Sequence, residues 1–382
     1  MLNDVLIAAL SGVVPDWVLV LVTSAVGAAG ILVFVVVSAL MGLWIERKLI
    51  ARFQIRYGPN RVGHVGLLQA LADALKILGK EAITPFGVDK WVYLAAPVLV
   101  IIPAIMTFAV VPFAPGAVLV DLPIGVLYVV AVGALGVIPV FMAGWSSNNK
   151  YSLLGSMRAV AQTISYEVPL VLSLVGLILM TGSLRLSDFV EYQIQHGWFI
   201  LLQPLAFLIF FIAGTAEVNR TPTDIVEGES EIVAGYHIEY SSFKFALFYV
   251  AEYTHVFGLA AIMTTLFLGG WGSGPLLDLL PAVVWFVAKV NLVFCVFVWM
   301  RSTLPRLRVD QLMGFAWKFL IPLSLANIFF SALWVYLALP GLAVFVVNLL
   351  LAVGLVVLWA QFLGEKRSSL PGSQYVIQPV SS

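Results

Sequence analysis

Long apolar runs separated by charged loops dominate the chain. A helix needs about 20 apolar residues to cross a bilayer, and nine runs come near this length. Because apolar positions in these runs are continuous and do not alternate with polar ones, they predict helices and exclude a membrane barrel. The pattern therefore predicts an all-α polytopic helix bundle. The nine runs cover residues 18–43, 91–112, 124–143, 159–180, 198–216, 246–270, 281–300, 319–338 and 341–362.

The lysines and arginines are distributed unequally between the two sides of this bundle. Of the 20 basic residues, 18 fall in alternate loops or in the C-terminal tail. The opposite side has only Arg185, and Lys289 lies inside the seventh run, as an internal ion pair or a packing feature. Because basic loops remain in the cytoplasm, we expect the N-terminus outside and the long loops inside. Residues 1–362 are expected to form one membrane domain, and residues 363–382 a short cytoplasmic tail.

The composition excludes a water-soluble protein and several kinds of redox site. Apolar residues make up 62% of the 382 residues and charged residues 10%, against about 25% charged residues in ordinary soluble domains. The single cysteine, Cys295, excludes a disulfide within the chain and a cysteine-ligated cluster. Only His255 of the four histidines is near a run, and no dinucleotide fingerprint occurs. We therefore expect no haem, iron–sulfur cluster, flavin or metal in this chain, no catalytic residue of its own, and no nucleic-acid partner.

The first basic loop, residues 44–90, contains a segment with helical periodicity at 67–82. Its polar residues form one stripe and its leucines form the other face. Two geometries fit this pattern. The helix lies on the membrane with its leucines in the lipid, or it packs into the protein with its polar stripe lining a cavity. The stripe consists of Gln69, Asp73, Lys76 and Lys80, and the apolar face of Leu68, Leu71, Leu75 and Leu78.

Carboxylates gather where the chain is otherwise apolar. The segment EGESEIVAGYHIEY, residues 227–240, holds four glutamates between two long runs. Glu167 and Glu252 lie inside the fourth and sixth runs, where a charged carboxylate costs on the order of 2.5–3.5 kcal/mol. Each acid alone fits a structural role, as an interface cap or as a hydrogen-bonded neutral group. Together they predict a functional row of coupled acids that pass protons or respond to a nearby charge.

The loops between the runs contain four long motifs. They are WIERKLIARFQIRYGPNRVGHVGLLQALADALKILGKE at 44–81, WSSNNKYSLLGSMRAVAQTISYE at 145–167, AEVNRTPTDIVEGESEIVAGYHIEY at 216–240, followed by ALFYVAEY at 246–253, and RSTLPRLRVDQLMGFAWK at 301–318. These motifs resemble those of the H subunit of NADH-quinone oxidoreductase, the membrane subunit of respiratory complex I called subunit 1 in mitochondria. The third motif departs from the family's usual Arg-x-Pro-Phe-Asp with Thr223, and His237 stands where asparagine is common. The ninth run adds a span to the family's eight.

The resemblance implies a role, a location and partners. In this family the subunit joins the membrane arm to the peripheral arm of a proton-pumping complex and forms much of a quinone tunnel. Its acids begin a path toward the pumping subunits. The implied location is the bacterial inner membrane. The implied partners are quinone as substrate, lipid, the peripheral-arm subunits on the cytoplasmic side and small membrane subunits laterally.

Motif by motif, the resemblance assigns residues to both parts of this role. The quinone-binding residues are implied to be Glu46, Arg47, Asp73, Lys76, Phe248, Tyr249, Arg301 and Arg308. The proton path is implied to use Glu81, Glu167, Glu217, Glu227, Glu229, Glu231 and Glu252. The residue pattern alone points to most of the acids, whereas the tunnel residues depend mainly on the resemblance.

Two other functions fit parts of the sequence. The membrane anchor of a related ferredoxin-dependent or hydrogen-evolving complex shares this fold and differs in its electron donor, although the long first loop favours the quinone-linked complex. A self-sufficient secondary transporter is the second alternative. Such transporters commonly carry inverted repeats and a midplane site, whereas this chain has no internal repeat and its polar residues crowd on one side.

Overall fold

A computed structural model shows an all-α protein. It describes residues 15–226, 228–272, 281–337, 345–354 and 357, and no β-strand occurs in these ranges. Seven helices within these ranges are long and apolar enough to cross a membrane. Two shorter apolar helices, Pro204–Glu217 and Phe345–Gly354, accompany them. The predicted all-α membrane bundle is confirmed.

Short turns and irregular segments connect the helices. Two 3₁₀ turns, His64–Gly66 and Gly235–His237, lie in the first and third predicted loops, and a π-helical turn, Ala316–Leu320, joins two helices near the C-terminus. The helices are α1 (Asp16–Phe53), α2 (Gln69–Leu78), α3 (Lys90–Thr107), α4 (Gly125–Leu135), α5 (Val137–Ser146), α6 (Lys150–Thr181), α7 (Leu186–His196), α8 (Phe199–Leu202), α9 (Pro204–Glu217), α10 (Glu229–Ile232), α11 (Ser242–Phe267), α12 (Ala282–Thr303), α13 (Val309–Phe315), α14 (Ile321–Leu337) and α15 (Phe345–Gly354).

These helices follow the nine predicted runs in order, with differences at the ends. The fifth run divides into α8 and α9 at Gln203, because a proline disfavours helical geometry in the residue before it. The eighth run begins earlier than predicted, at Val309. The ninth run lies only partly within the described residues, so the count of nine spans stays a prediction. Residues 363–382, the predicted tail, lie outside the described residues.

The first helix is longer than a bilayer requires. Its 38 residues rise about 57 Å at 1.5 Å per residue, whereas the hydrocarbon core measures about 30 Å. The last turns carry Glu46, Arg47, Lys48 and Arg52. Because these residues follow a full-length apolar span, α1 carries them out of the hydrocarbon layer and into the basic end of the molecule.

Close packing of small and aromatic residues holds the central helices together. A Cβ atom at Gly42 of α1 would lie 2.5 Å from Cε2 of Phe257, so only glycine allows this approach of α1 to α11. Phe257 stacks on Phe294 of α12 with ring centroids 4.5 Å apart. Buried alanines on α9 and α11 add further close contacts. Small residues at such positions are typical of membrane helix interfaces, where backbones must approach closely.

The predicted cytoplasmic loops contact one another at one end of the bundle. The hydroxyl of Ser242 donates to the carbonyl of Lys80 at 2.7 Å, which joins the first loop to the third. The Nδ2 of Asn149 in the second loop donates to Oε1 of Glu239 at 2.7 Å. The backbone N–H of Leu307 in the fourth loop donates to the carbonyl of Pro222 at 3.0 Å. These contacts agree with the prediction that the four basic loops share one side.

At the opposite end, Lys289 has backbone partners. Its Nζ donates to the carbonyls of Leu268, Gly270 and Gly272 at 2.7, 3.0 and 2.6 Å. The same ammonium lies 4.9 Å from the ring centroid of Trp198. Among the described residues Lys289 is therefore a packing feature, the second of the two predicted alternatives.

The predicted amphipathic helix is present as α2, and it combines elements of both predicted geometries. The first half of its polar stripe turns inward, because Asp73 pairs with Arg47 of α1 and accepts a hydrogen bond from Gln69. The second half, Lys76 and Lys80, is exposed. Its apolar face turns outward, where Leu71 and Leu75 are exposed in the isolated chain. The helix therefore packs against α1 through Asp73 and leaves a leucine face to meet lipid or a partner.

A close backbone contact between α6 and the third loop generates a stability prediction. A Cβ atom at Gly155 would lie 2.6 Å from the Cα of Gly235. Backbone cannot move aside as a flexible side chain can, so we expect Gly155→Ala to destabilise the protein by about 1–3 kcal/mol. Thermal unfolding of the purified protein in detergent measures this loss.

The matched control is Gly30→Ala in α1, where nothing lies within 4 Å of the added Cβ. This change should leave the midpoint of thermal unfolding unchanged or raise it slightly, because alanine favours helix over glycine. Equal midpoints for the two variants would contradict the close contact.

Candidate functional site

The densest cluster of buried charge surrounds Arg220, which lies in the third loop just after α9. Its Nη1 lies 3.3 and 3.4 Å from the two carboxylate oxygens of Glu46, and its Nη2 lies 3.2 Å from Oε1 of Glu252. The side chains of Arg220 and Glu46 are each 5% exposed. Glu46 belongs to α1 and Glu252 to α11, so one guanidinium joins two helices that are distant in sequence.

Two further ion pairs extend this cluster toward the fourth loop. Arg301 at the end of α12 donates from Nη1 to Oε1 of Glu46. Arg306 donates from Nη2 to Oδ2 of Asp224 at 3.1 Å. With the pairs made by Arg220, three arginines face three carboxylates. The formal charges of the cluster therefore balance.

The surroundings of Arg220 keep it charged. Burial alone lowers the pKa of Arg220, but the charges of Glu252 and Glu46 raise that pKa above the ordinary arginine value. The ring of Tyr253 covers the guanidinium, with the ring centroid 4.7 Å from Cζ. A buried ion pair requires such close partners, because removing one of them leaves an uncompensated charge at a cost of about 3–5 kcal/mol.

Two cavities lie beside this cluster, within the bundle. The one nearer the loops, which we call the near cavity, measures about 70 Å³ and is lined by Glu252, Glu217, Asn219 and other residues. The second, the far cavity, measures about 50 Å³ and extends toward Leu186 at the opposite end. Both volumes exceed the roughly 10–15 Å³ that one water molecule requires. Carboxylates that line a cavity of this size can exchange protons through water.

A separate polar site lies on the first loop. The ion pair of Arg47 and Asp73 borders an open cavity of about 500 Å³, whose lining includes Arg47, Tyr57 and Gln69. Burial acts to raise the pKa of Asp73, but hydrogen bonds from Arg47 and Gln69 outweigh it and hold that pKa below the ordinary value. Asp73 therefore remains a carboxylate that orients Arg47 toward this cavity.

These arrangements define what chemistry the site offers. Among the described residues, no group of three or more His, Cys, Asp and Glu side chains could hold a metal ion. The side chains in the buried cluster and around the cavities are coupled acids, arginines and aromatic rings. They are suited to hold a polar ligand group, to exchange protons and to respond to a change of charge nearby.

Comparison with known proteins identifies the family. The family model described as NADH dehydrogenase matches residues 26–332. The chain is 54% identical over 342 residues to the NADH-quinone oxidoreductase H subunit of Dehalococcoides mccartyi strain CBDB1, a match that covers 88% of this chain and 95% of that relative. This chain belongs to the H subunit family of NADH-quinone oxidoreductase. Other members include those of Carboxydothermus hydrogenoformans, 50% identical over 81% of this chain and 88% of the relative, and Bacillus cytotoxicus, 50% identical over 80% and 92%.

The acids that the family resemblance assigned to a proton path occupy two different environments. Glu167, Glu217 and Glu252 are half-buried within the bundle, and Glu167 is close enough to Glu217 for their charges to interact. Glu81 is exposed, and Glu231 is exposed beside Arg158, with 2.5 Å between Oε2 and Nη1. Glu227 and the side chain of Glu229 lie outside the part of the chain that the structure describes.

The residues assigned to a quinone tunnel also divide into groups. Glu46 and Arg301 belong to the buried cluster, and Arg47 and Asp73 form the pair on the first loop. Phe248 is buried, with its ring edge against Tyr236 and Tyr240. The structure thus brings Glu46 and Arg301 together with the acid Glu252. Tyr249, Lys76 and Arg308 are exposed.

Sequence reasoning missed Arg220 and His255 as site residues. Arg220 follows an apolar run in a loop full of acids, so it looks like an ordinary loop cation. The signal that could have found it is charge balance, because a carboxylate inside a run requires a cation within reach. His255 follows Glu252 by three residues, and residues at this spacing share one face of a helix.

The buried cluster predicts a large stability loss for one arginine substitution. Replacing Arg220 with glutamine leaves Glu46 and Glu252 without their shared cation, so we expect a loss of about 3–5 kcal/mol. Native separation and thermal unfolding of the purified complex measure this loss. The control is Arg185→Gln, because Arg185 and Asp121 are 3.8 Å apart and their side chains are 44% and 36% exposed. An exposed pair contributes about 0–1 kcal/mol, and equal losses in the two variants would contradict the buried cluster.

His237 predicts an acid-dependent stability loss. It is buried among aromatic rings, with its centroid 5.4 Å from that of Phe245, and burial lowers its pKa to about 4. Histidine in an unfolded chain has a pKa of about 6.5. Between that pH and about 4, the unfolded chain therefore binds a proton that the folded chain does not bind. Stability should therefore fall as the pH decreases from about 6.5 toward about 4, by up to ~1.4 kcal/mol per pH unit. Melting temperatures across this range measure the effect.

The matched variants are His237→Asn and His64→Asn. The first should flatten the decline of melting temperature with acid, because asparagine does not titrate. His64 is exposed, so its replacement should leave the decline unchanged. A decline that is identical in all three proteins would contradict the role of His237.

Proposed function

We propose that this chain is the membrane subunit of a bacterial inner-membrane NADH-quinone oxidoreductase that forms part of the quinone site and starts a proton path. The observation that carries the proposal is the position of Arg220 between Glu46 and Glu252. Glu46 belongs to the residues assigned to quinone, and Glu252 to the residues assigned to the proton path. One buried guanidinium therefore connects the two parts.

The quinone side would lie along α1 and α2. The pair of Arg47 and Asp73 borders the open cavity on the first loop, and Glu46 precedes Arg47 directly on α1. Arginine at a cavity wall can donate hydrogen bonds to the polar oxygens of a quinone head group, and Asp73 holds Arg47 in position. The exposed leucines of α2 would face lipid, through which the apolar tail of the quinone arrives.

The coupling would be electrostatic. Reduction of a quinone to a quinol consumes two electrons and two protons, and the electrons would come from NADH through partner subunits. Charge that changes beside Glu46 and Arg301 alters the balance of forces on Arg220. Because Arg220 also pairs with Glu252, a shift of the guanidinium changes the protonation of that acid. Glu217 and Glu167 would then carry the change further along the row.

The loop end of the bundle would dock the peripheral arm. Ile55, Tyr57 and Phe86 lie there almost fully exposed, which is unusual for large apolar residues outside a membrane. A partner subunit that covers them would bury apolar surface at this end. In this arrangement the loops face the cytoplasm, the N-terminus lies outside, and small membrane subunits and lipid surround the bundle.

The proposal predicts a loss of coupling when Glu252 is neutralised. Glu252→Gln keeps the shape of the side chain and removes its charge, and Glu46 remains to pair with Arg220, so assembly should survive. We expect proton translocation per NADH oxidised to fall several-fold in membrane vesicles supplied with NADH and a short-chain quinone. Native separation measures assembly, and a pH-sensitive dye measures translocation.

The matched control is Glu191→Gln, which replaces an exposed glutamate of α7 at the opposite end. This variant should pump and reduce quinone as the unmodified complex does. Normal quinone reduction and normal pumping by Glu252→Gln, in an assembled complex, would refute the proposed path.

A further inference from the structure

A tight helical turn within one membrane span lies beside the acids. The third predicted span divides into α4 and α5 at Gly136, whose N–H donates to the carbonyl of Gly133 at 2.9 Å. Such an i→i+3 bond tightens the helix locally. The two glycines leave the backbone of this turn uncovered, so side chains from other helices can approach it.

Two titratable side chains lie against this turn at Gly133–Gly136. A Cβ atom at Gly133 would lie 2.8 Å from Oε1 of Glu217, and a Cβ atom at Gly136 would lie 3.8 Å from Nε2 of His255. Glu217 comes from α9 and His255 from α11. Glycine at 133 and 136 therefore brings a carboxyl group and an imidazole to neighbouring positions on one turn.

The same residues separate the two cavities. Glu217, Gly133 and His255 line both the near cavity and the far cavity, whereas Glu252 lines only the near one. The near cavity is polar, since Thr163 and Asn219 also line it. The far cavity beyond is walled mainly by apolar residues such as Val126, Leu174 and Leu266. Glu217 and His255 therefore lie between a mixed polar lining on one side and a mainly apolar lining on the other.

We propose that His255 is the proton-holding residue at the end of the acid row, where it exchanges a proton with Glu217 or Glu252 through water in the near cavity. This inference rests on the proposed function. In the exchange a carboxyl O–H loses its proton and becomes a carboxylate, and an imidazole nitrogen gains the proton and becomes cationic. Beyond Glu217 and His255, no further titratable side chain among the residues that the structure describes lines the far cavity, so the row ends here.

The contacts of His255 favour exchange over packing. No hydrogen bond holds its ring among the described residues, so both ring nitrogens are available to water. The other titratable groups that line the two cavities are Glu217, Glu252 and Tyr236. A cationic imidazole here would share the near cavity with the carboxyl groups of Glu217 and Glu252. The position thus suits a group that alternates between neutral and charged forms.

The test compares His255→Asn and His255→Gln with His196→Asn in the assembled complex. Asparagine and glutamine keep hydrogen-bonding capacity and cannot take up a proton. His196 is exposed and lines neither cavity. Vesicles receive NADH and a short-chain quinone, and both quinone reduction with an uncoupler and proton translocation per NADH are measured.

We expect both His255 variants to keep uncoupled quinone reduction and to lose proton translocation per NADH several-fold, whereas His196→Asn retains both. Normal translocation by either His255 variant would overturn the inference, because hydrogen bonding alone would then suffice. Failure of both variants to assemble, with His196→Asn assembled, would also overturn it and make His255 a packing residue.

The Glu252→Gln variant, measured in parallel, separates this inference from the proposed function. If Glu252→Gln loses coupling and the His255 variants do not, only the role of His255 is wrong. If Glu252→Gln pumps normally, the acid row itself is wrong, and the inference about His255 falls with it.

Discussion

The buried guanidinium of Arg220 is the interaction on which the rest of the site depends. Carboxylates inside a membrane protein are costly unless a cation is close, and Arg220 provides that cation for Glu46 and Glu252. Without it, α1 could not present Glu46 to the interior, and α11 could not hold Glu252 within its span. The third loop, which carries Arg220, is therefore part of the bundle's interior.

The same constraint explains why polar residues are concentrated on one half of the bundle. Loops that contact one another can form ion pairs with each other, and Arg306 pairs with Asp224 and Arg158 with Glu231 in this way. Away from the loops, the interior is filled by stacked rings such as Phe257 and Phe294. The boundary between these halves falls near Gly133 and Gly136, where a carboxyl group and an imidazole approach a tight helical turn.

Much of the fold could be predicted from the sequence, because apolar runs of span length have one stable solution in a bilayer. The polar stripe of α2 could be predicted from spacing, but its direction could not, because the spacing fits a helix on the membrane and a helix packed inward equally. The tight turn at Gly136 could not be predicted, because glycine is common within membrane helices and its neighbours are apolar. The pairing of Arg220 with residues from α1 and α11 could not be predicted either, since no local pattern records which remote helices approach a loop. Resemblance supplied roles for Glu46 and Arg301 that their residue types alone do not.

The three carbonyl partners of the Lys289 ammonium fix one end of the bundle. Three carbonyls accept its three protons and the ring of Trp198 covers it, so the group has no remaining donor with which to change partners. It ties α12 to the turn after α11 and to the segment before α8. The loop end, by contrast, is held by arginines whose several donors can be redistributed among neighbouring carboxylates. The Lys289 end is therefore the more firmly fixed of the two, and an exchange of ion-pair partners around Arg220 can take place while that end stays in position.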